Sequence, residues 1–573
     1  MSLDRRTTVK LLGGAALYPF ALSGTGAAAN EQPYDLIIRN GIVYDGLGGQ
    51  PVPADVAVRG DRIAKIGAVR DRSARIEIDA RGRAVAPGFI NMLSWATESL
   101  LIDGRGLSDL KQGVTTQIFG EGWSMGPLNA EMRAEMVRQQ TDLKFDVSWT
   151  SLGEYLAALQ SRGIAQNVAS FVGAATVRIH AMGQVNRKAT AAELATMQRL
   201  VREAMMDGAL GVGSSLIYAP GNYADTEELI ALAQAAAPFG GRYISHMRSE
   251  GDRIEAALDE LIRIGREARI PVEIYHLKLA GRENWHKFDR VIAQIDAARR
   301  SGVDIAANMY TYTAGATGFD AAMPPWVQEG GYQQWAERLR NPEIRARVID
   351  EMRKAPEGWE NLYRAAGGPD NLLLIGFGNP VLKPLTGMTL TQVATLRGTS
   401  PEDTIIDLVI EDGTRVQVAY FLMSEENVRK QIQLPWMTFG SDAEAAAPEG
   451  AFLLSSTHPR TYGTFARLLG RYVRDERLIT LADAVRRLTS LPAANLGLVE
   501  RGRLAVGYHA DITVFDPDTI TDHATFASPQ RYATGVSDVV VNGVHVLRDG
   551  NPTGAHGGRA VRGGGAMPAP ASD

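Results

Sequence analysis

Short apolar runs with the look of buried strands alternate with helix-patterned segments through the middle of the chain. No other feature restricts the fold as much. Eight such runs occur, at residues 84–92, 114–119, 167–172, 209–214, 242–246, 271–276, 304–310 and 436–441. Between them, segments such as AAELATMQRLVREAMMDG and IEAALDELIRIGREA repeat apolar residues at i, i+3 and i+4, and several stop at Gly. Eight β–α alternations predict an α/β fold of the (β/α)8 class, a TIM-like barrel. A doubly wound sheet would require a Gly-rich phosphate loop after an early strand, and none is present. The stretch between the seventh and eighth runs is too long for one crossover helix, so roughly residues 318–420 read as an insertion on the barrel.

The two ends of the chain follow a different pattern. Residues 34–87 read as short alternating strands punctuated by Asn-Gly, Asp-Gly and Gly-Asp, and a like stretch recurs in GYHADITVFDP and VSDVVVNGVHVLRDG. Together they predict a small β-sandwich assembled from both ends, over 30–87 and 497–556, around a catalytic barrel over 88–496. Residues 1–29 carry Arg5-Arg6, Lys10, an apolar run from Leu11 to Leu22 and then small residues ending at Ala29. This is the shape of a twin-arginine export signal, too short for a permanent membrane span, and it predicts a periplasmic protein without a membrane anchor. The final GGRAVRGGGAMPAPASD, residues 557–573, reads as a disordered tail. Composition excludes several classes. A net charge of −5 lacks the basic excess of a nucleic-acid binder. With no Cys, a disulfide framework, a thiol nucleophile and a thiolate zinc site are all ruled out.

The candidate chemistry lies at the ends of the runs. His246 ends the fifth, His276 ends the sixth, Asp442 follows the eighth and Glu121 follows the second. In a (β/α)8 barrel these positions share the C-terminal face, where active sites lie. Read singly, a His at a strand end is an ordinary hydrogen-bonded core residue. Two on consecutive strands with acids beside them form a set that can hold one divalent metal and leave a position for water. A second carboxylate can then take that water's proton.

At these residues the chain resembles the N-acyl-D-amino-acid deacylases, or D-aminoacylases, of the amidohydrolase superfamily, over roughly residues 34–560. The likeness rests on many ordered blocks, among them RNGIVYDGLG, APGFIN, GGRYISHMRSEGDR, GREARIPVEIYHLKLAG, MYTYTAGAT, LPWMTFGSDA, STHPRTYGTFARLLGRYVR and GRLAVGYHADITVFDP. The resemblance implies an amidohydrolase barrel with a terminal β-sandwich, and zinc-dependent hydrolysis of the amide of an N-acylated D-amino acid. It implies Asp442 as the acid/base group, Lys278 in the substrate site, Arg460 on the substrate carboxylate, and Tyr310 or Tyr312 as a substrate contact. Arg248, two residues after His246, is either a pocket residue or a buried structural charge.

The resemblance also fails at defined places. The family follows PGFID with His-x-His on the first strand, whereas here Leu93 and Trp95 occupy those positions. The family's metal-bridging Cys, in Gly-Asn-Cys-Gly, aligns with Glu121 once one deletion is allowed. Glu121, His246 and His276 are therefore expected to hold a single zinc per chain, with a turn residue as the plain alternative for Glu121. The expected partner is a small N-acyl amino acid or related amide, with no nucleic acid and with the oligomeric state open. Competing readings are a metal-dependent lactonase, dipeptidase or cyclic-amide hydrolase on the same barrel, or a binding protein that has lost the chemistry.

Overall fold

The computed structural model of the chain describes residues 34–69 and 73–566. The expected export signal at 1–29 lies outside the described residues. The eight barrel strands are β1 (Phe89–Asn91), β2 (Val114–Phe119), β3 (Asn167–Ser170, resuming as Val172–Gly173), β4 (Gly211–Ser215), β5 (Arg242–His246), β6 (Val272–Ile274), β7 (Ile305–Met309) and β8 (Met437–Phe439). Every residue of these strands is buried, which explains why they read as near-continuous apolar runs without alternation. Neighbours pair in parallel and in chain order, for example Ser215 with His246 and Ser245 with Ile274. The last strand returns to the first through Met92 N to Phe439 O at 3.2 Å and Asp442 N to Leu93 O at 2.8 Å. The helices between strands bury one face against this ring. In Ile254–Ala268 that face is Ile254, Leu258, Leu261, Ile262 and Gly265.

Both ends of the chain build one sheet. The early strands Tyr34–Val43, Val52–Arg59, Arg62–Gly67, Ala74–Asp79 and Ala84–Pro87 join Ile512–Phe515, Val536–Val541, Val544–Arg548 and Asn551–Pro552. The seam is antiparallel, with Ala84 opposite Phe515 and Pro87 opposite Ile512. Leu36, Ile38, Val56, Val58, Val85, Ile512, Val514 and Val540 form a core that neither end could bury alone. After β7 comes an antiparallel three-stranded sheet of Ala314–Gly318, Gln417–Phe421 and Leu372–Gly376, which carries the added helices. No helix among the described residues is long and apolar enough to cross a membrane.

The expected disorder after residue 557 does not hold for residues 557–566. Val168 N donates to Arg559 O, Val561 N to Val168 O, and Gly563 N to Gly208 O. This strap runs past the starts of β3 and β4, on the face away from the strand ends. Its glycines serve contact: a Cβ on Gly558 would stand 2.0 Å from Gln166 O. Composition alone does not distinguish close approach from disorder.

Beneath the C-terminal face a buried polar knot ties β1, β2 and β8. Asn91 Nδ2 donates to Asp109 Oδ2 at 2.9 Å and to Ser441 Oγ at 2.8 Å, Gln117 Nε2 donates to Asp109 Oδ2 at 2.7 Å, and Ser441 N donates to Asn91 Oδ1 at 2.8 Å. Burial pushes the Asp109 carboxyl up to about 7, against the opposing pull of the Asn91 and Gln117 amides. A carboxyl raised on folding contributes stability that is complete below its unfolded value and lost as pH rises through its folded one. Asp109→Asn keeps the accepting oxygen and mimics the protonated acid. Urea unfolding at pH 5 and pH 8 is expected to show wild type losing about 2 kcal/mol more than the variant across that interval.

Candidate active site

Each functional side chain at the C-terminal face is aimed by a local backbone device. Gly120 ends β2 with φ +108°, and a Cβ there would stand 2.4 Å from Phe171 O, so only glycine makes the turn that sends Glu121 inward. His276 and Asp442 follow β6 and β8 with φ of +32° and +51°. That conformation costs a non-glycine residue roughly 1 kcal/mol or more, and such strain persists where the surroundings over-determine it. Asn308 Oδ1 accepts His276 N at 2.8 Å, and Leu93 O accepts Asp442 N at 2.8 Å.

Glu121 Oε1 lies 2.9 Å from His246 Nδ1 and 2.7 Å from His276 Nε2. All three side chains are buried, and their donor atoms fall within 4.8 Å of one another. One carboxylate and two imidazoles converging from three strands match the donor set of an open catalytic zinc site. On the other side of the two rings stands Glu250. Its Oε1 is 3.1 Å from His276 Nδ1, and its Oε2 is 3.4 Å from His246 Nε2, a nitrogen that makes no hydrogen bond. Lys278 Nζ bonds Glu250 Oε1 at 2.6 Å and His276 Nδ1 at 2.7 Å.

Charge alternation sets the protonation states. Burial works to raise the Glu121 carboxyl, but the imidazoles of His276 and His246 hold it well below the usual carboxylate range. Glu250 is likewise lowered, burial being outweighed by His246, Lys278 and His276. His276 is pushed up to about 9: burial and Lys278 pull it down, and the Glu121 and Glu250 carboxylates prevail. Two carboxylates thus flank the imidazoles and favour positive charge on His276.

Asp442 Oδ2 pairs with Arg460 Nη1 at 2.7 Å, and burial raises its carboxyl against the pull of that guanidinium. The contact is off hydrogen-bond alignment and leaves Arg460 Nε and Nη1 without hydrogen-bond partners. The guanidinium lies 4.7 Å from the Tyr310 ring centre, with Lys278 Nζ at 5.7 Å from the same ring. Glu121, His246, His276, Asp442, Lys278, Arg460 and Tyr310 are therefore brought together.

Two expected site residues lie elsewhere. Arg248 is a structural charge: its guanidinium is spent on Glu260 and on the carbonyls of Asn222 and Ala224. β5 ends at His246, so the same-side rule of a strand no longer applies two residues on. Tyr312 lies behind the loop that carries Arg460, its hydroxyl on Pro459 O and Asp522 and its ring under Arg467. β7 ends at Met309, and the chain has turned by Tyr312.

Sequence reasoning passed over Glu250, whose signal was an acid four residues after His246 in HMRSEG. It also passed over Glu360, which the insertion supplies. Glu360 Oε2 accepts Ser249 Oγ at 2.7 Å and Oε1 accepts Glu250 N at 3.2 Å, bracing the turn that presents Glu250. Burial raises the Glu360 carboxyl to about 7.

Residues 77–547 match the model of the Amidohydrolase family. The D-aminoacylase of Alcaligenes xylosoxydans xylosoxydans is 34% identical over 537 residues, which cover 93% of this chain and 98% of that protein. A D-aminoacylase structure described in terms of a binuclear metal centre, with one-metal activation and second-metal attenuation, superposes with a TM-score of 0.76 at 34% identity, over 92% of this chain and 100% of that one. The N-acyl-D-glutamate deacylase of Bordetella bronchiseptica, solved with zinc and a phosphonate mimic of the tetrahedral intermediate, gives a TM-score of 0.76 at 31% identity, over 93% and 100% of the two chains.

Glu250 faces the ring nitrogens turned away from Glu121, the place from which a carboxylate fixes imidazole tautomers for a metal. Glu250→Gln is expected to weaken zinc binding about 10–100-fold, measured by competition with a chromophoric chelator, with little change in far-UV circular dichroism.

Proposed function

The chain belongs to the amidohydrolase family, and on that premise we propose that it is a zinc-dependent deacylase acting on the amide of N-acyl-D-amino acids. One ion per chain would be held by Glu121, His246 and His276. The observation that carries this reading is the sharing of Glu121 Oε1 between two imidazoles, next to an Asp442–Arg460 pair, at the ends of four barrel strands. The D-configuration is supported by the relatives named for D-substrates. The Arg5-Arg6 pair and the apolar run after it support export to the periplasm.

Bound there, a divalent ion supplies polarisation of the acyl carbonyl and a lowered pKa for water. The remaining work falls to side chains. Asp442 takes the proton of the attacking water and returns it to the departing nitrogen, and its raised carboxyl suits both halves of that task. Arg460 offers a planar fork to the substrate carboxylate, with Tyr310 beneath it. Because the same guanidinium neutralises Asp442, an arriving carboxylate competes for Arg460 and loosens its hold on the base. Lys278, held by Glu250, adds positive charge on the His276 side of the site.

Hydrolysis of N-acetyl-D- and N-acetyl-L-amino acids by zinc-loaded protein tests the reading: the D-series is expected to be cleaved and the L-series spared. Failure to cleave any N-acyl-D-amino acid overturns it. Arg460→Lys is expected to raise KM at least ~10-fold for these substrates, yet to change little for an amide without a carboxylate. Equal sensitivity of both substrates removes the carboxylate role.

Asp442→Asn is expected to keep its zinc and lose about 100-fold or more in kcat, because it deletes the proton acceptor. Glu121→Gln should do the reverse at the first step and lose zinc. Elemental analysis of the two purified variants separates base from ligand. Normal zinc content in Glu121→Gln would reduce that residue to a turn.

A further inference from the structure

Glu121 and Asp442 are two buried carboxylates that share one donor. The indole Nε1–H of Trp95 lies 3.0 Å from Glu121 Oε2 and 3.1 Å from Asp442 Oδ1. Their other oxygens are already served, Oε1 of Glu121 by the two imidazoles and Oδ2 of Asp442 by Arg460. Among the described residues no other hydrogen bond reaches either of the oxygens that Trp95 joins. Two buried anions facing each other repel unless a cation or a donor stands between them.

We propose that Trp95 is a positioning residue that occupies the place where a second divalent cation would bridge Glu121 and Asp442, so that this chain works with the single ion of the Glu121–His246–His276 site. The proposal rests on the zinc deacylase reading above. An indole N–H is neutral. It holds the two carboxylates in register without drawing off the negative charge that Asp442 needs as a proton acceptor, as a second metal would. Trp95 is itself 37% exposed, so this clamp reaches from the two buried carboxylates to the surface. Leu93, two residues before it, is buried and has no donor or acceptor in its side chain, so a cation placed at Trp95 would gain no ligand there.

The test uses the whole protein, equilibrated by dialysis against excess zinc and analysed for bound metal. Wild type is expected to saturate at one zinc per chain. Trp95→His replaces the donor with a ligand and is expected to saturate at two. Trp95→Phe keeps an aromatic ring, a smaller one, and removes the N–H with the rest of the five-membered ring. It is expected to retain one zinc, with kcat lowered at least ~10-fold and KM within about threefold, because the base loses its register and the substrate contacts remain. Two zinc ions in wild type, one in Trp95→His, or a wild-type kcat in Trp95→Phe would each overturn the assignment. Two ions in a wild type that still cleaves N-acyl-D-amino acids would sink the Trp95 role alone. A wild type that takes up none removes the metal reading and the inference with it.

Discussion

Opposite charges packed side by side in a buried place are the condition on which the rest of the architecture depends. Across the site the order runs Glu121, the two imidazoles, Glu250, then Lys278, each within about 3 Å of the next. None of these groups is tolerable alone at such burial, because removing one partner of a buried ion pair leaves an uncompensated charge that costs about 3–5 kcal/mol. The backbone is therefore committed to bringing β2, β5 and β6 to one level. The turn at Gly120, the left-handed His276 and the Asn308 side chain that holds it are the local expressions of that commitment.

The insertion takes part in the site and does not merely decorate the barrel. It sends Glu360 under the backbone of Glu250, and Ala314–Gly318, the strand that leads into it and pairs with its Gln417–Phe421, accepts His458 Nε2 at Ala314 O and Arg460 Nη2 at Ala316 O. The metal-side turn and the carboxylate-side loop are thus both braced by one added unit. A change of substrate preference in such a chain can arise far from the strand ends, in residues that touch neither metal nor substrate.

What could be read in advance follows a physical boundary. Residues at strand ends were legible, since the fold fixes which end of each strand faces the site: His246, His276, Glu121 and Asp442 all fall there. Residues further along the loops were not. The resemblance supplied Lys278 and left Tyr310 and Tyr312 as alternatives; Tyr312 and Arg248 lie where the chain has already turned away. Glu250 and Glu360 were invisible for the same reason, as no periodicity reports how a loop returns. Trp95 was legible only as a lost ligand, and its hydrogen bonds to two carboxylates emerged from the geometry. The Gly-rich end, read as disorder, proved to be backbone packed on backbone up to residue 566.

The sheet shared by both chain ends sets a timetable for the molecule's birth. Ala84–Pro87 waits for Ile512–Phe515, and the entire barrel lies between them. While the ribosome is still working, the early strands hold a half-built apolar face of Leu36, Ile38, Val56 and Val58 with no lid from the other end. Contacts of such sequence separation form late and slowly. This sheet cannot close until the last strands have been made, and through that interval the apolar face of the N-terminal strands stays open to unwanted pairing.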